Sequence, residues 1–303
     1  MDEMTRSTVL GLFRGQEWAI LPEALASLMD TARRYSAGDT VAATEPEAAA
    51  RAATTAIHGD IAVLRLHGTI YPRGGGLFFE LMGLSSAEGF ATQFKAALND
   101  SRVGAIVIDV NSPGGAVSGV DEVSKLIFDA RGTKPVVAVA NHLMASAAYW
   151  IGTAADELVV TPSADVGSVG VFAAHQDVSA ALEREGVKVT LISAGKYKTE
   201  GSPFEPLSDE ARAAIQERVD EYYDMFTKAV ARNRGVSVSD VRGGFGEGRV
   251  VGAQQAVATG MADRIETMDR TLDRLGRRQR GGARTASAEL EFRRAQAWLL
   301  KQD

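Results

Sequence analysis

Short apolar runs alternate with helical stretches through the first half of the chain, and this alternation is the feature that most limits the possible folds. From Gly59 onward the runs IAVLRLHG, VGAIVIDV and PVVAVA are separated by AEGFATQFKAALND and GVDEVSKLIFDA, which have helical spacing. Apolar strands that are each followed by a helix are typical of a parallel sheet covered by helices. The sequence therefore predicts an α/β fold, with further strands at 157–161 and 187–193 and a long helix from about Ser208 to Arg234.

The segments on either side of this pattern differ from it in composition. Residues 1–35 are predicted to form a helical arm, in which Pro22 begins a helix. Residues 36–58 are rich in alanine and poor in large apolar side chains, which indicates a linker. The predicted compact domain covers 59–268, and a basic, partly helical tail follows at 269–303. This tail is either a solvated segment or an arm that binds a partner.

Composition excludes several classes of protein. A formal net charge of -6 argues against a general nucleic-acid binder, which needs an excess of Lys and Arg. The absence of cysteine excludes disulfides, thiolate metal ligands and a cysteine nucleophile. No apolar run reaches the roughly 18 residues of a membrane span, and residues 1–30 lack the apolar core of a signal peptide. We therefore expect a cytoplasmic protein without a membrane anchor.

Two glycines follow the predicted strand VGAIVIDV in the segment NSPGGAVSG, at 111–119. Glycines at the carboxyl end of a strand let the backbone turn so that its amides point outward, where they can stabilise a developing oxyanion. Taken alone, the segment is equally consistent with a tight connection between a strand and a helix.

Ser146 lies among small and apolar residues in MASAAYW, shortly after the run PVVAVA, and it is predicted to open a helix. The positive end of a helix dipole and the unpaired amides of a first turn favour an anionic transition state. Serine is also a preferred N-cap, so this position alone does not distinguish a nucleophile from a capping residue.

A serine nucleophile needs a base beside it. The chain has four histidines, His58, His67, His142 and His175. None lies in a familiar Ser/His/Asp sequence context. A lysine can serve instead where its surroundings lower its pKa from about 10.4 to about 7 or 8. Lys196 and Lys198, in SAGKYKTEGSPFEP, both qualify.

Six segments, taken in order, resemble the signal peptide peptidase family of serine peptidases, which shares the Clp protease/crotonase fold. They are LHGTI, VNSPGGAV, MASAAYW, VGSVGVF, GKYKTEGSPF and GRVVGAQQAVATGMAD, and together they span about 59–268. The resemblance implies an α/β fold of that type and a serine endopeptidase that uses a Ser/Lys dyad.

The same resemblance implies a role for individual residues. Ser146 matches the family's nucleophile and Lys198 its general base, while Lys196 stands two residues too early. Ser168, in VGSVGVF, matches a second serine that hydrogen-bonds the lysine. The backbone amides of Gly114 and Ala147 correspond to the oxyanion hole.

One departure from the family pattern concerns the residue after the nucleophile. Many relatives have SGGYY where this chain has SAAYW, so Ala147 brings a methyl group next to the substrate pocket and the relatives' substrate preference does not carry over directly. The implied chemistry requires no metal and no other cofactor. The glycines of GGFGEG, at 243–248, lack the strand and helix context of a phosphate-binding loop and are interpreted as a turn.

The N-terminal segment FRGQEWAILPEALASLMD resembles the front of tailed-phage prohead proteases, which cut scaffold and capsid proteins during head assembly. This implies a polypeptide substrate and a location in the host cytoplasm or within a prohead. In single-domain relatives, the nucleophile and the lysine come together from neighbouring subunits of a ring. The resemblance therefore implies a homo-oligomeric ring for this chain. Two other classes stay open: a crotonase-type acyl-CoA enzyme, and a non-catalytic capsid assembly protein of the same fold.

Overall fold

The computed structural model describes residues 16–37, 56–75, 79 and 82–277. Most of the predicted linker, and the basic tail beyond 277, lie outside the described residues. The strands are β1 (Glu17–Ile20), β2 (Ala56–His58), β3 (Ile61–His67), β4 (Thr69–Tyr71), β5 (Leu84–Ser86), β6 (Ala105–Ser112), β7 (Gly114–Ala116), β8 (Val136–Ala145), β9 (Glu157–Val160), β10 (Asp165–Gly167), β11 (Phe172–Ala173), β12 (Val250–Gly252) and β13 (Arg264–Ile265). The helices are α1 (Pro22–Ala37), α2 (Ala87–Asn99), α3 (Val120–Asp129), α4 (Ala147–Gly152), α5 (Ser179–Arg184), α6 (Asp209–Arg234), α7 (Val238–Gly244), α8 (Ala253–Ala258) and α9 (268–277).

The larger sheet has the strand order β12-β10-β8-β6-β3-β2. Its four inner strands run parallel to one another, and β2 and β12 pair antiparallel at the two edges. One edge of β8 pairs with two strands. Its residues 137–140 pair with β9, and its residues 143–145 pair with β10. A parallel sheet with flanking helices confirms the predicted α/β class.

Both faces of this sheet are covered, as the alternation of side chains along its strands requires. On β6, Ile106 and Ile108 face the large core that contains the helices, whereas Val107 faces a smaller cluster on the opposite side. That smaller cluster is closed by α9, where Leu275 is 2% exposed. The described start of the basic tail is therefore packed on the sheet.

The predicted long helix is confirmed as α6. The Ser208 hydroxyl caps its start by accepting a hydrogen bond from the Ala211 amide, and Gly235 ends it in a left-handed conformation. Phe226 on this helix stacks against Trp150 on α4 and ties the two helices together.

The predicted strand at 187–193 is wrong. This segment has no regular structure, and the apolar side chains of Val187, Val189 and Leu191 are exposed. A strand needs a neighbour for its backbone hydrogen bonds, and no strand in the described part of the chain pairs with this segment.

The smaller sheet has the order β11-β1-β7-β4-β5, in which β1 is antiparallel to both of its neighbours. The helix α1 begins at Pro22, as predicted, directly after β1. Trp18 and Ile20 of β1 pack with Leu25 and Leu28 of α1 in a separate apolar cluster. The N-terminal segment is thus docked onto the domain through both its strand and its helix.

Candidate active site

Ser146 occupies the junction between the end of β8 and the start of α4, and its backbone is strained. Its φ of 55° and ψ of -119° lie in a region that residues other than glycine rarely adopt. The conformation is fixed from both sides, because its amide donates to the Gly167 carbonyl at 2.7 Å and its carbonyl accepts from the Trp150 amide at 2.9 Å. Such strain, held in place by surrounding bonds, is common at functional sites.

The Ser146 hydroxyl does not cap α4, so the structural alternative considered from the sequence is wrong. Its oxygen lies 3.5 Å from the Gly170 carbonyl oxygen, at the outer limit of a hydrogen bond. The residue is only 1% exposed. The structure therefore presents a buried hydroxyl that is weakly bonded, which suits a group that must give up its proton.

Gly114 and Gly115 bring the backbone of β7 against this serine. A Cβ added to Gly114, whose φ is 101°, would overlap the Ala19 carbonyl oxygen and lie 2.9 Å from the Ser146 Cβ. A Cβ added to Gly115 would overlap the Ile70 carbonyl oxygen on β4. The close approach on both sides explains why two consecutive glycines follow the strand β6.

The two amides predicted for an oxyanion hole lie in different local settings. The Gly114 amide donates a long hydrogen bond of 3.2 Å to the Ser112 hydroxyl, which itself donates to the Gly68 carbonyl at 2.6 Å. Ala147 is the first residue of α4, so its amide has no acceptor within the helix. The Ala147 amide is thus free of helical bonding, and the Gly114 amide is only weakly bound.

Ser168 lies next to Ser146 through the backbone. It follows Gly167, whose carbonyl binds the Ser146 amide, and it has a φ of 53°. Its own amide donates to the Arg249 carbonyl at 2.8 Å, and the residue is buried. The structure therefore brings together the positions of Ser146, Ser168 and Gly114.

Lys198 is not part of this group within one chain. It is exposed in a turn, where its amide donates to the Gly195 carbonyl at 3.2 Å, and among the described contacts its side chain makes no hydrogen bond to Ser146 or Ser168. Lys196 is bound elsewhere: hydrogen bonds to the Tyr197 hydroxyl at 2.7 Å and to Glu210 at 2.9 Å raise its pKa. Bonds of this kind hold Lys196 in its charged form, which is the wrong state for a base.

The histidines do not supply a base either. His67 lies 3.1 Å from Asp109, which also accepts a hydrogen bond from Asn141 at 3.1 Å. Burial raises the pKa of Asp109, but the hydrogen bonds and the charge of His67 outweigh burial and leave it below the ordinary value. In the described part of the chain no histidine hydrogen-bonds Ser146, and no group of three or more metal-binding side chains is present.

Sequence reasoning missed two features of this site. It gave Gly115 only the general role of a turn glycine, and did not predict that this residue packs against the Ile70 carbonyl of β4. It also treated residues 17–20 as part of a helical arm, whereas they form a strand whose carbonyl at Ala19 reaches the edge of the site. None of the helices in the described ranges is long and apolar enough to cross a membrane.

Comparisons with known proteins identify the family of this chain. The model of peptidase family S49 matches residues 129–280, which contain Ser146, Ser168 and Lys198. Capsid assembly protease C of Escherichia phage lambda is 35% identical over 236 residues, 76% of this chain and 53% of that protein. The head-tail preconnector protein GP5 of Enterobacteria phage P21 is 35% identical over 205 residues, 68% of this chain and 40% of that protein.

More distant relatives include Protease 4 of Salmonella typhi, which is 31% identical over 212 residues, 70% of this chain and 33% of that protein. A ClpP1 mutant from Listeria monocytogenes gives a TM-score of 0.43 at 17% identity, over 68% of this chain and 92% of that one. The chain spans about half the length, or less, of the two phage proteins and of Protease 4. The family match confirms the resemblance inferred from the six segments and, with it, the assignment to a peptidase family. The chain belongs to peptidase family S49.

Proposed function

We propose that this chain is a serine endopeptidase of the phage prohead type, with Ser146 as its nucleophile. The observation that carries the proposal is the buried, weakly bonded hydroxyl of Ser146 on a strained backbone, with the glycine turn of β7 packed against it. Membership of a peptidase family supports the same chemistry. It counts against the acyl-CoA alternative, which needs no serine nucleophile.

The mechanism follows from acyl transfer. A neutral Lys198 takes the proton of Ser146, whose oxygen adds to the carbonyl carbon of the substrate peptide bond. Amides of Gly114 and Ala147 stabilise the resulting oxyanion, and the lysine then donates the proton to the leaving amine. Water, activated by the same lysine, hydrolyses the acyl-enzyme. Ser168 would orient the lysine by a hydrogen bond.

We propose that the base comes from a second copy of the chain, because the described contacts of Ser146 within one copy do not include the exposed Lys198. Lys198 lies in a segment, residues 187–204, that exposes several apolar side chains, among them Ile192 at 95% and Tyr197. Exposed apolar surface of this extent is typical of an interface. If each copy inserts its segment into the next, the contact is head-to-tail, and such contacts form a ring when the rotation from copy to copy closes, as we propose here.

Phage head proteins are the proposed substrates. Two relatives that match more than two thirds of this chain are, by their names, a capsid assembly protease and a head-tail preconnector protein. This supports cleavage of scaffold or capsid polypeptides, in the host cytoplasm or within a prohead.

The test is hydrolysis of an unfolded protein such as casein by the wild type, by Ser146→Ala, by Lys198→Ala and by the two variants mixed. We expect activity in the wild type, loss in each variant, and partial recovery on mixing, because mixed rings contain some sites with both residues intact. Lys196→Ala is the matched control, since this exposed lysine lies two residues away, and it should retain activity. Full activity in Ser146→Ala would refute the proposed nucleophile.

A further inference from the structure

The strand β1 is inserted between two strands that both adjoin the serine. Its register pairs Ala19 with Gly115 and Ile20 with Gly114 on one side. On the other side it pairs Trp18 with Phe172 of β11, a strand that follows shortly after Gly170, whose carbonyl oxygen is the one near the Ser146 hydroxyl. An extended segment of this chain therefore runs directly past the candidate nucleophile.

The hydrogen-bond pattern identifies which peptide group of β1 faces the site. The Val117 amide donates to the Glu17 carbonyl at 3.1 Å, and the Leu21 amide donates to the Pro113 carbonyl at 3.0 Å. Hydrogen-bonded pairs alternate along an antiparallel ladder, so the pair between these two, Ala19 with Gly115, is also hydrogen-bonded.

The Ala19 carbonyl is therefore bound by the Gly115 amide at the edge of the site. Its oxygen and the Ser146 Cβ both crowd the point where a Cβ on Gly114 would lie. Of the peptide groups in β1, it is the one that the glycine turn holds beside the serine.

This strand is firmly anchored by its side chains. Trp18, Ala19 and Ile20 are each no more than 2% exposed, and the first and last pack against α1 in their own apolar cluster. Glu17 also forms an ion pair with Arg218 of α6 at 2.8 Å. The strand β1 therefore occupies the edges of both β7 and β11.

Two extended segments cannot use the same backbone groups at once. The other edge of β7 is already paired with β4, so the only edge of β7 that an incoming strand can join is the one that β1 occupies. Extended peptides bind to proteins by adding a strand to such an edge. A polypeptide that presents its carbonyl to Ser146 in this way must displace β1.

We propose that β1 is a built-in inhibitory strand, which occupies the groove for the extended substrate between β7 and β11 and leaves it before a polypeptide substrate is cleaved. The inference rests on the proposed peptidase function, since it concerns how the substrate reaches the same serine. Residues 17–20 then compete with the substrate for the groove and are not a permanent part of the site.

A disulfide that locks β1 in the groove tests this directly. Glu17 and Ala173 are Cα partners on β1 and β11, and the Cα separation of paired strands falls within the range that a disulfide spans. The chain contains no cysteine of its own, so the double variant Glu17→Cys with Ala173→Cys carries only the intended pair. Closure of the bond is verified by intact mass, and casein hydrolysis is measured before and after reduction.

We expect the closed form to lose at least about tenfold in activity, and reduction of the same sample to restore it. The single variant Glu17→Cys, treated with the same oxidant, is the control and should not respond to oxidation or reduction. Full activity with the bond shown to be closed would overturn the inference. Failure of the peptidase proposal is distinguishable, because the reduced form and the wild type would then also be inactive, which removes the basis of both proposals.

Discussion

The Trp150 and Phe226 rings stack with their centroids 4.6 Å apart and their planes 9° from parallel. Both side chains are fully buried, and they connect α4, which begins directly after Ser146, to the long helix α6. The position of Ser146 thus depends on packing between segments that lie far apart in the sequence.

Removal of one ring should destabilise the whole domain. Phe226→Ala is expected to lower the free energy of unfolding by about 3–5 kcal/mol, because it leaves a cavity against Trp150. The measurement is chemical denaturation followed by tryptophan fluorescence. The control is Met225→Ala, at the neighbouring and exposed position, which should cost less than about 1 kcal/mol. Equal losses in the two variants would contradict the packing argument.

The central sheet and α6 could be predicted from the sequence because their signals are local. The strand β6 begins with the apolar run AIVI, and α6 has a capping serine at Ser208 and a terminating glycine at Gly235. The position of Ser146 at the end of a strand and the start of a helix could be inferred in the same way. Local composition was sufficient wherever burial on both faces decides the structure.

The remaining features depend on contacts that are distant in sequence. The run EWAI becomes a strand only because Gly115 and Phe172 offer it two edges, and nothing within the run itself indicates those partners. The segment at 187–193 has strand-like alternation, but no strand within the described ranges lies beside it, so the same propensity gives no strand. The lack of a described contact between Lys198 and Ser146 within one chain likewise could not be predicted from the local sequence.

The pair of Arg234 and Asp263 predicts a dependence of stability on pH. Two hydrogen bonds of 2.9 and 2.8 Å join them, and the Leu158 amide donates to the same carboxylate at 2.7 Å. Burial by itself raises the pKa of Asp263. The hydrogen bonds and the charge of Arg234 lower this pKa by more than burial raises it, so it lies below the ordinary value of 3.8. A lowered pKa in the folded state contributes stability above the unfolded value, and this contribution is lost as the pH falls through the folded value.

We therefore expect Asp263→Asn to lower the free energy of unfolding by about 1–2 kcal/mol at pH 7, an amount reduced by solvent because the carboxylate is 36% exposed. The difference from the wild type should shrink as the pH falls below about 4. Denaturation curves at pH 7, 5 and 3.5 measure it. Asp129→Asn, which removes an exposed ion pair with Lys125, is the control and should change little at any pH. If the difference in the free energy of unfolding between the variant and the wild type stayed constant with pH, Asp263 would not be the group responsible for the pH dependence.

The glycine turn predicts a variant that loses activity without unfolding. Gly114→Ala puts a methyl group where the Ala19 carbonyl and the Ser146 Cβ already crowd, so it should push the Gly114 amide away from Ser146 and lower kcat/KM by about a hundredfold, the effect of losing one proposed oxyanion donor. Gly132→Ala is the matched control, since Gly132 also has a positive φ, of 80°, but a Cβ there would meet no atom within 4 Å. Both variants place an alanine at a positive φ, so similar kcat/KM values would show that crowding at Gly114 is irrelevant to catalysis.

Ile192 predicts the effect of assembly on activity. In one chain this side chain is 95% exposed, so Ile192→Asp should leave the fold and the thermal midpoint of a single copy unchanged. If a second copy covers the segment that carries Lys198, a charge at this position has to be buried without a partner, which is strongly unfavourable. We expect the variant to sediment as a smaller species than the wild type and to lose peptidase activity in proportion.

Ile57→Asp is the matched control, because Ile57 is also a strongly exposed isoleucine, at 56%, and lies on β2 at the far edge of the sheet. It should keep both the native mass and the activity. An Ile192→Asp protein of native mass and full activity would show that the segment is not an interface, and that Lys198 has to reach Ser146 by movement within one chain.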